Sequence, residues 1–202
     1  MKATIKNKYA AGAFAACAAL ALLGSTANSE AAGYMKLGDI DGEATDTDHK
    51  DWIIIHSMSS PIFRAPVTDP ATGVQRSRGD VVLGDIVCVK ELDKSSPKLA
   101  EAVCNGVHIP EVTIHFTVTV QEPQPDGTFK NKQEPYLTYK LKDVIISSYS
   151  FHGNAAGDPL PTEEVTLGYT EVEWTYIVLD KDTKTPTGEI VQGSCPPTPG
   201  AP

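Results

Sequence analysis

The chain is poor in positive charge and in cysteine. It carries 17 lysines and arginines against 26 aspartates and glutamates, a formal net charge of -9 over 202 residues. Because lysine and arginine contacts to phosphate supply most nucleic-acid affinity, this balance argues against nucleic-acid partners and against adhesion to anionic membranes. Four cysteines are too few for a disulfide-built scaffold. With 41% hydrophobic residues, the chain can still bury one sizeable core.

The usual sequence templates for catalysis and cofactor binding are also missing. The chain contains no Gly-x-Ser-x-Gly, no Gly-x-x-x-x-Gly-Lys, no His-Glu-x-x-His and no Cys-x-x-Cys. The acidic run 39–48 resembles a calcium loop, but Ala44 stands where the sharp turn needs glycine, and Lys50 where a bidentate glutamate is needed. We therefore predict that the protein is not an enzyme and has no catalytic, cofactor-binding or metal-binding residues.

The first 32 residues have the composition of an export signal. Lys2, Lys6 and Lys8 precede an apolar, alanine-rich run at 9–23, and small residues follow it. That order is typical of a secretory signal peptide, and the apolar run is short for a membrane-spanning helix. We predict that residues 1–32 are removed and that the protein is secreted or periplasmic, without stable membrane insertion. An uncleaved membrane anchor is the alternative.

Removing that segment strengthens the acidity and leaves three cysteines. The net charge becomes -11, because three lysines and one glutamate leave with the segment. Cys88, Cys104 and Cys195 remain, so two of them can pair in an oxidising compartment and at least one stays free. As free thiols, Cys88 and Cys104 are predicted to be small buried hydrophobic residues.

Polar and apolar residues alternate over most of the remaining chain, which is typical of half-buried antiparallel strands. The clearest alternations run over 112–120 and 172–178. The short link 168–170 ahead of the second one predicts a hairpin or a bulge. Further strand-like runs are 34–40, 52–58, 81–90, 136–141, 144–151 and 165–169.

One segment breaks the alternation and predicts a helix. Ser96 and Pro97 stand ahead of residues 98–104, and Gly106 follows, as start and stop signals for about two turns. About seven or eight strands with one short helix predict a mainly β fold. We expect a compact antiparallel β-barrel or sandwich over residues 33–180, because such arrangements protect sheet edges.

Histidines and paired carboxylates indicate no site either. The histidines lack paired ligand spacing, and His115 lies on the polar face of its strand, where exposure to solvent or to a lumen is expected. Glu163 and Glu171, each close to a second glutamate, are expected on an outward, solvated face rather than in an acid–base pair. Trp52 and Trp174 lie among apolar neighbours and are predicted to fill the core.

Two stretches resist assignment to strands. The segment 59–80 is rich in proline and glycine and holds the only dense positive charge. It is too long for an ordinary hairpin loop, so it is either a disordered surface loop or an arm that packs on a neighbouring acidic subunit. The proline-rich residues 181–202 predict a flexible tail. On the second interpretation of 59–80, the predicted subunit-interface residues are Pro61, Arg64, Arg76 and Arg78.

Several short segments, taken in order, carry a family resemblance. They are YMKLGDIDGEATD at 34–46, HKDWI at 49–53, SPKLAEAVCNG at 96–106, IPEVT at 109–113, YKLKDVIISSY at 139–149, GDPLPTE at 157–163 and EVEWTY at 171–176. Together they resemble the Hcp family, the haemolysin-coregulated proteins that are tube subunits of bacterial type VI secretion systems. Several motifs in the right order are much more specific than any one of them.

The resemblance implies a compact β-barrel with one flanking helix that assembles as a hexameric ring with a wide pore. Rings of this family stack into a tube, which a contracting sheath expels together with a tip (spike) protein, and small effectors travel in the lumen. The resemblance thus implies a structural subunit and cargo carrier, with 59–80 against neighbouring subunits or the next ring.

The predicted signal peptide departs from the family pattern, because tube subunits normally polymerise in the cytoplasm. One alternative is therefore an exported periplasmic or secreted ring-forming binding protein that is not part of a secretion tube. Another is translation from a start near Met35, which leaves the protein cytoplasmic until the tube secretes it.

Overall fold

The computed structural model describes residues 32–64, 67–68, 71–73, 75–76, 80–125, 127–153 and 160–195. The helix in this part of the chain is α1 (Ser96–Asn105). The strands are β1 (Ala32–Leu37), β2 (Ile53–Ile55), β3 (Ser57–Ser59), β4 (Ile62–Arg64), β5 (Val67–Thr68), β6 (Gln75–Arg76), β7 (Val81–Leu83), β8 (Ile86–Glu91), β9 (His108–Pro123), β10 (Phe129–His152), β11 (Thr162–Gly168), β12 (Glu171–Leu179) and β13 (Pro186–Cys195). The predicted mainly β fold with one short helix is confirmed.

The main sheet is antiparallel and curls around one apolar core. Its strands follow the order β2-β1-β9-β10-β11-β8-β3, while β12 branches from β10 and pairs with β13 on its other side. The two ends of this path, β2 and β3, are consecutive in the chain, but none of the described ladders joins them. The fold is therefore sandwich-like and not a closed barrel.

β10 is the strand on which the two parts of the sheet meet. One of its edges pairs with β9 over most of its length. The other edge pairs with β12 over 137–142 and with β11 over 145–152, and Asp143, with φ of 50°, lies between the two ladders. Since β11 and β12 pair with different stretches of β10 and not with each other, the hairpin predicted at 168–170 is wrong.

The alternating pattern fills the core as expected. Val112 and Ile114 of β9, Leu141 of β10 and Val165 and Leu167 of β11 are all fully buried. Each such aliphatic side chain contributes about 1.5–3 kcal/mol when it leaves water. The strand assignments that were based on alternating polar and apolar residues are therefore correct, because one face of each strand packs on the core.

α1 begins and ends close to its predicted bounds. Pro97 lies in its first turn, and Gly106 follows its last residue with φ of 59°, a left-handed conformation that favours glycine. Leu99 is fully buried and Ala102 nearly so, and this face packs on β10. The helix therefore covers one side of the core.

A buried ion pair joins β8, β11 and the start of α1. The side chains of Lys90 and Glu163 are both fully buried, with Lys90 Nζ 2.8 Å from Glu163 Oε2. Asp93 Oδ1 accepts a second hydrogen bond from the ammonium at 2.9 Å, and Ser96 Oγ donates to Glu163 Oε2 at 2.7 Å. Tyr149 donates to Glu163 Oε1 at 2.6 Å. The prediction that Glu163 lies on a solvated face is wrong, because the ammonium and two hydroxyl groups take the place of water.

The surroundings of this pair keep the Tyr149 hydroxyl protonated. Burial and then the hydrogen bond to the Glu163 carboxylate raise the pKa of Tyr149 to about 12. A neutral phenol can donate its proton to the carboxylate, whereas a phenolate cannot. Tyr149 therefore remains a hydrogen-bond donor over the whole neutral range.

The C-terminal region departs most from the prediction. Residues 186–195, which fall in the predicted flexible tail 181–202, form β13 and pair with β12, with Gly193 opposite Trp174. Pro186 is the first residue of this strand, where the missing N–H is tolerated. The tail prediction is thus wrong for 186–195, and residues 196–202 lie outside the described part of the chain.

Of the predicted signal peptide, residues 1–31 lie outside the described part. Ala32 is the first residue of β1, and its carbonyl accepts a hydrogen bond from Thr117 Oγ1 at 3.1 Å. A cut after residue 31 leaves β1 whole, whereas the predicted removal of residues 1–32 takes away Ala32, the first residue of this strand. Within the described residues, no helix has the length and apolar character needed to cross a membrane.

Replacing Lys90 with Met is expected to lower the free energy of unfolding by about 3–5 kcal/mol, because the Glu163 carboxylate is left buried without its counter-ion. Urea-induced unfolding measures this loss. The double variant Lys90→Met/Glu163→Leu should lose less than the single one, since no uncompensated charge remains. Lys98→Met is the control: its ion pair with Glu101 is exposed and should contribute almost nothing. Equal losses in Lys90→Met and Lys98→Met would contradict the prediction.

Candidate assembly surfaces

Between β3 and β8 the chain forms two short antiparallel strand pairs outside the main sheet, and we call the described residues of 60–84 the arm. β4 and β7 pair within it, with Ile62 opposite Leu83 and Arg64 opposite Val81. Further out, β5 and β6 pair in the same antiparallel sense. Of the two interpretations of 59–80, a disordered loop or an arm, the described residues favour the arm.

The base of the arm is closed by a tight contact. The N–H of Gly84 donates to the carbonyl of Pro61 at 2.9 Å. A Cβ at position 84 would lie 2.7 Å from Pro61 Cγ and 3.0 Å from its carbonyl oxygen. Only glycine at position 84 allows the two backbone segments to approach this closely. Pro61 and Gly84 together therefore set where the arm leaves the sheet.

Both faces of the arm expose apolar side chains. The exposed fractions are 43% for Ile62, 53% for Phe63 and 38% for Val82. Successive side chains of a strand point to opposite faces, so Ile62 and Phe63 lie on different faces of the arm. Apolar side chains that stay exposed together on a small two-stranded element are typical of a surface that another molecule covers.

A second exposed apolar surface lies on the strands β10, β12 and β13. Tyr176 stands opposite Leu137 on one side and Val191 on the other, so the three side chains share one face. Tyr176 is 39% exposed and Val191 53%. The ring of Tyr136 meets that of Tyr176 edge-on, with centroids 6.4 Å apart. We call these four residues the ledge.

The predicted interface residues are distributed along the arm. Pro61 is exposed at its base and Arg64 ends β4, whereas Arg76 lies in β6 by its backbone and Arg78 falls outside the described residues. Their role in an interface stays a prediction. The sequence did not indicate Phe63, because the interface prediction was based on the arginines and not on the apolar runs Ile-Phe at 62–63 and Val-Val-Leu at 81–83.

We call residues 41–52 the cover segment. A cluster of polar and aromatic side chains lies between this segment and the sheet. His49 is only 1% exposed, and its Nδ1 lies 2.7 Å from Asp46 Oδ1 and its Nε2 2.9 Å from His115 Nδ1. The Tyr34 ring stacks on His49 with centroids 4.3 Å apart, and Trp52 meets His49 edge-on at 5.0 Å. The predictions that His115 is exposed and that Trp52 fills the main core are both wrong, because the cover segment folds over this face of the sheet.

The charges in this cluster shift two pKa values downward. Burial, then His49 and Lys140, lower the pKa of His115 to about 4. Burial alone would raise the pKa of Asp46, but hydrogen bonds from the His49 ring and from backbone N–H groups outweigh it and leave a net decrease. The cluster therefore holds a carboxylate bonded to one nitrogen of His49 and, at the other nitrogen of His49, a second histidine, His115, that resists protonation.

The three cysteines after residue 32 are all free, so none of them pairs with another. Cys88 is buried, and burial raises the pKa of its thiol to about 12, whereas Cys104 is exposed and Cys195 half-buried. The prediction of a buried thiol is right for Cys88 and wrong for Cys104. Among the described residues, no three histidine, cysteine or carboxylate side chains are placed to hold a metal ion.

A model of the family described as "Type VI secretion system effector, Hcp" matches residues 34–176. The chain belongs to the Hcp family. Protein hcp1 of Pseudomonas aeruginosa is 29% identical to it over 143 residues, which cover 71% of this chain and 81% of that protein. The "Major exported protein" of the same organism is 27% identical over 135 residues, 64% of this chain and 72% of the relative. The predicted family is thus confirmed.

Solved structures agree with this assignment. A protein solved as "a type six secretion system protein" superimposes with a TM-score of 0.64 at 27% identity, covering 81% of this chain and 93% of its own. Hcp1 from Salmonella typhimurium shares the fold, with a TM-score of 0.61 at 22% identity, and the same shares of the two chains are covered. Hcp proteins are structural, tube-type proteins of type VI secretion that form hexameric rings, and they are not known as enzymes.

Proposed function

We propose that this protein is the inner-tube subunit of a type VI secretion system, a hexameric ring that stacks on itself and carries small effectors in its lumen. The observation that carries this proposal is the arm, a two-stranded projection with exposed apolar side chains on both faces of an Hcp fold. A monomer gains no stability from such a projection, whereas a ring buries it against a neighbour. The subunit acts as a conduit and needs no cofactor.

The arm and the ledge favour a ring over a two-fold dimer. They are built from different strands, so a contact between the arm of one copy and a different surface of the next is head-to-tail. Such contacts close into a ring when the rotation between copies fits, and otherwise continue as a filament. An acidic body with arginines concentrated on the arm adds electrostatic complementarity, which sets register more than affinity. Sheath, tip protein and effector cargo follow as partners from the family, and nucleic acid does not.

A second candidate is an exported ring-forming protein that binds its ligand outside any secretion tube. The order of charged, apolar and small residues in 1–32 favours it. Both candidates share the ring, and they differ in the route by which the chain leaves the cytoplasm.

Replacing Val82 with Asp is expected to weaken ring assembly by at least about tenfold, because a carboxylate would have to be buried at the contact. Native mass spectrometry and sedimentation velocity measure the oligomer. Val107→Asp is the matched control, since Val107 is similarly exposed at 42% but lies between the helix and β9 and is not part of the arm. If Val82→Asp and Val107→Asp assemble equally well, the arm does not form the subunit contact.

Reversing the charge of the arm tests its electrostatic part. The triple variant Arg64→Glu, Arg76→Glu, Arg78→Glu is expected to assemble less than the original chain at low salt, and the difference should shrink as salt screens the charges. Analytical ultracentrifugation at two ionic strengths measures it. An unchanged particle size at both ionic strengths would show that the arginines do not contribute.

The intact mass of the native protein separates the two candidate functions. A chain that starts near Met35 in the cytoplasm and forms hexamers is the result expected for a tube subunit with a misplaced start. A chain cut near residue 27, 31 or 32 and recovered outside the cytoplasm is the result expected for the exported ring.

A further inference from the structure

Side chains, more than backbone hydrogen bonds, join the cover segment to the body of the protein. Its backbone hydrogen bonds are largely internal, such as those between Gly42 and Asp51 and between Ala44 and Trp52. Toward the rest of the chain it offers exposed polar contacts from Lys94 and Lys132, which contribute little to stability in water. What remains is the buried side chain of Ala44 and the packing of the segment's aromatic and histidine side chains on β1 and β9.

At the centre of that packing, two imidazole rings share a single proton. His49 Nδ1 faces the Asp46 carboxylate, which can only accept, so this nitrogen carries a hydrogen. His49 Nε2 and His115 Nδ1 are 2.9 Å apart, which requires one of them to donate and the other to accept. The pair can therefore hold one positive charge at most. A second proton places two N–H groups against each other and breaks the bond.

The groups around His115 disfavour that second proton in the closed structure. Its register neighbours, Tyr34 on β1 and Thr138 on β10, are uncharged. The titratable and charged groups closest to the ring are Tyr34 and Lys36 of β1, Lys140 of β10, and Asp46 and His49 of the cover segment. The other charged residues of the cover segment, Asp41, Glu43, Asp48 and Lys50, are exposed, and Asp51 pairs with Lys94. Asp46 is bonded to His49 and not to His115.

We propose that the His49–His115 pair is an acid-operated latch, which holds the cover segment closed at neutral pH and releases it when a second proton enters the pair. Release separates His49 from His115 and uncovers the outer face of β1 and β9 around Tyr34. Asp46 stays bonded to His49 and moves with it, because both belong to the cover segment. The arm and the ledge are not part of this movement.

The sign of the pH dependence follows from His115. Its pKa is about 4 in the closed structure and returns to the ordinary 6.5 when the segment is released. Because the released form binds the proton more tightly, closure is fully favoured above pH 6.5 and is weakened as the pH falls toward 4. Over that interval the equilibrium shifts toward release by on the order of a hundredfold.

Hydrogen exchange measures the latch directly. Protection factors of amides in 41–52, corrected for the intrinsic pH dependence of exchange, are expected to fall on the order of a hundredfold between pH 6.5 and pH 4, while amides of α1 stay protected. In a Trp174→Phe background, Trp52 is the only tryptophan, and its fluorescence should report the same transition. Constant protection of 41–52 across this interval would overturn the proposal.

Two histidine variants identify the residue responsible. His115→Asn keeps a polar group near the position of Nδ1 but cannot titrate, so the loss of protection in 41–52 at acid pH should disappear. His152→Asn is the matched control, because His152 is an exposed strand histidine 3.8 Å from Glu164, and it should behave like the original chain. A transition that persists unchanged in His115→Asn would refute the latch.

A measurement on the unaltered protein covers the case in which His115→Asn does not fold. Nitrogen-15 NMR of the imidazole rings distinguishes protonated from unprotonated nitrogens. The latch requires that both ring nitrogens of His115 become protonated in the same pH interval in which the amides of 41–52 lose protection. If His115 becomes doubly protonated while 41–52 stays closed, the two events are not coupled and the proposal fails.

Discussion

The fold depends on an ion pair that is buried away from water. Lys90 and Glu163 are fully buried where β8 meets β11, and the ammonium is held between Glu163 and Asp93. Removing two charges from water costs about as much free energy as their mutual attraction contributes. A buried ion pair therefore adds little net stability, and its main effect is to constrain the geometry. Ser96, at the start of α1, bonds the same carboxylate, so one network sets both the pairing of two strands and the position of the helix.

The body that this network holds together leaves its assembly surfaces outside the core. The arm departs from the sheet between β3 and β8, and the ledge lies where β10, β12 and β13 extend together. Neither surface belongs to the fully buried cluster around Met35 and Leu99, although Leu83, at the end of the arm, packs against that cluster. Substitutions of the exposed arm residues are therefore expected to leave the core packing unchanged.

Local patterns predicted most of the architecture and few of the tertiary contacts. Period-two alternation located the core strands because one face of each meets apolar neighbours, and Pro97 with Gly106 marked the ends of α1. Nothing local distinguishes Glu163 from Glu171, since only the fold brings Lys90 to one of them. His115 was misplaced for the same reason: its strand has a polar face, but a segment more than sixty residues earlier covers it. In the C-terminal region, the prolines after residue 195 led to the prediction of a flexible tail, although the residues before them form β13.

The position of β1 has a consequence for how the chain reaches this structure. β1 is the first described strand, yet its central partner β9 begins about seventy residues later, and β8 finds its partner β11 only after a similar separation. Contacts between such distant segments form late, because the intervening chain must first be closed into a loop. The edge of β1 that faces β9 therefore remains unpaired for much of synthesis, although β2 can pair with its other edge early. The main sheet of this protein can be completed only after β9, β10 and β11 have all been made.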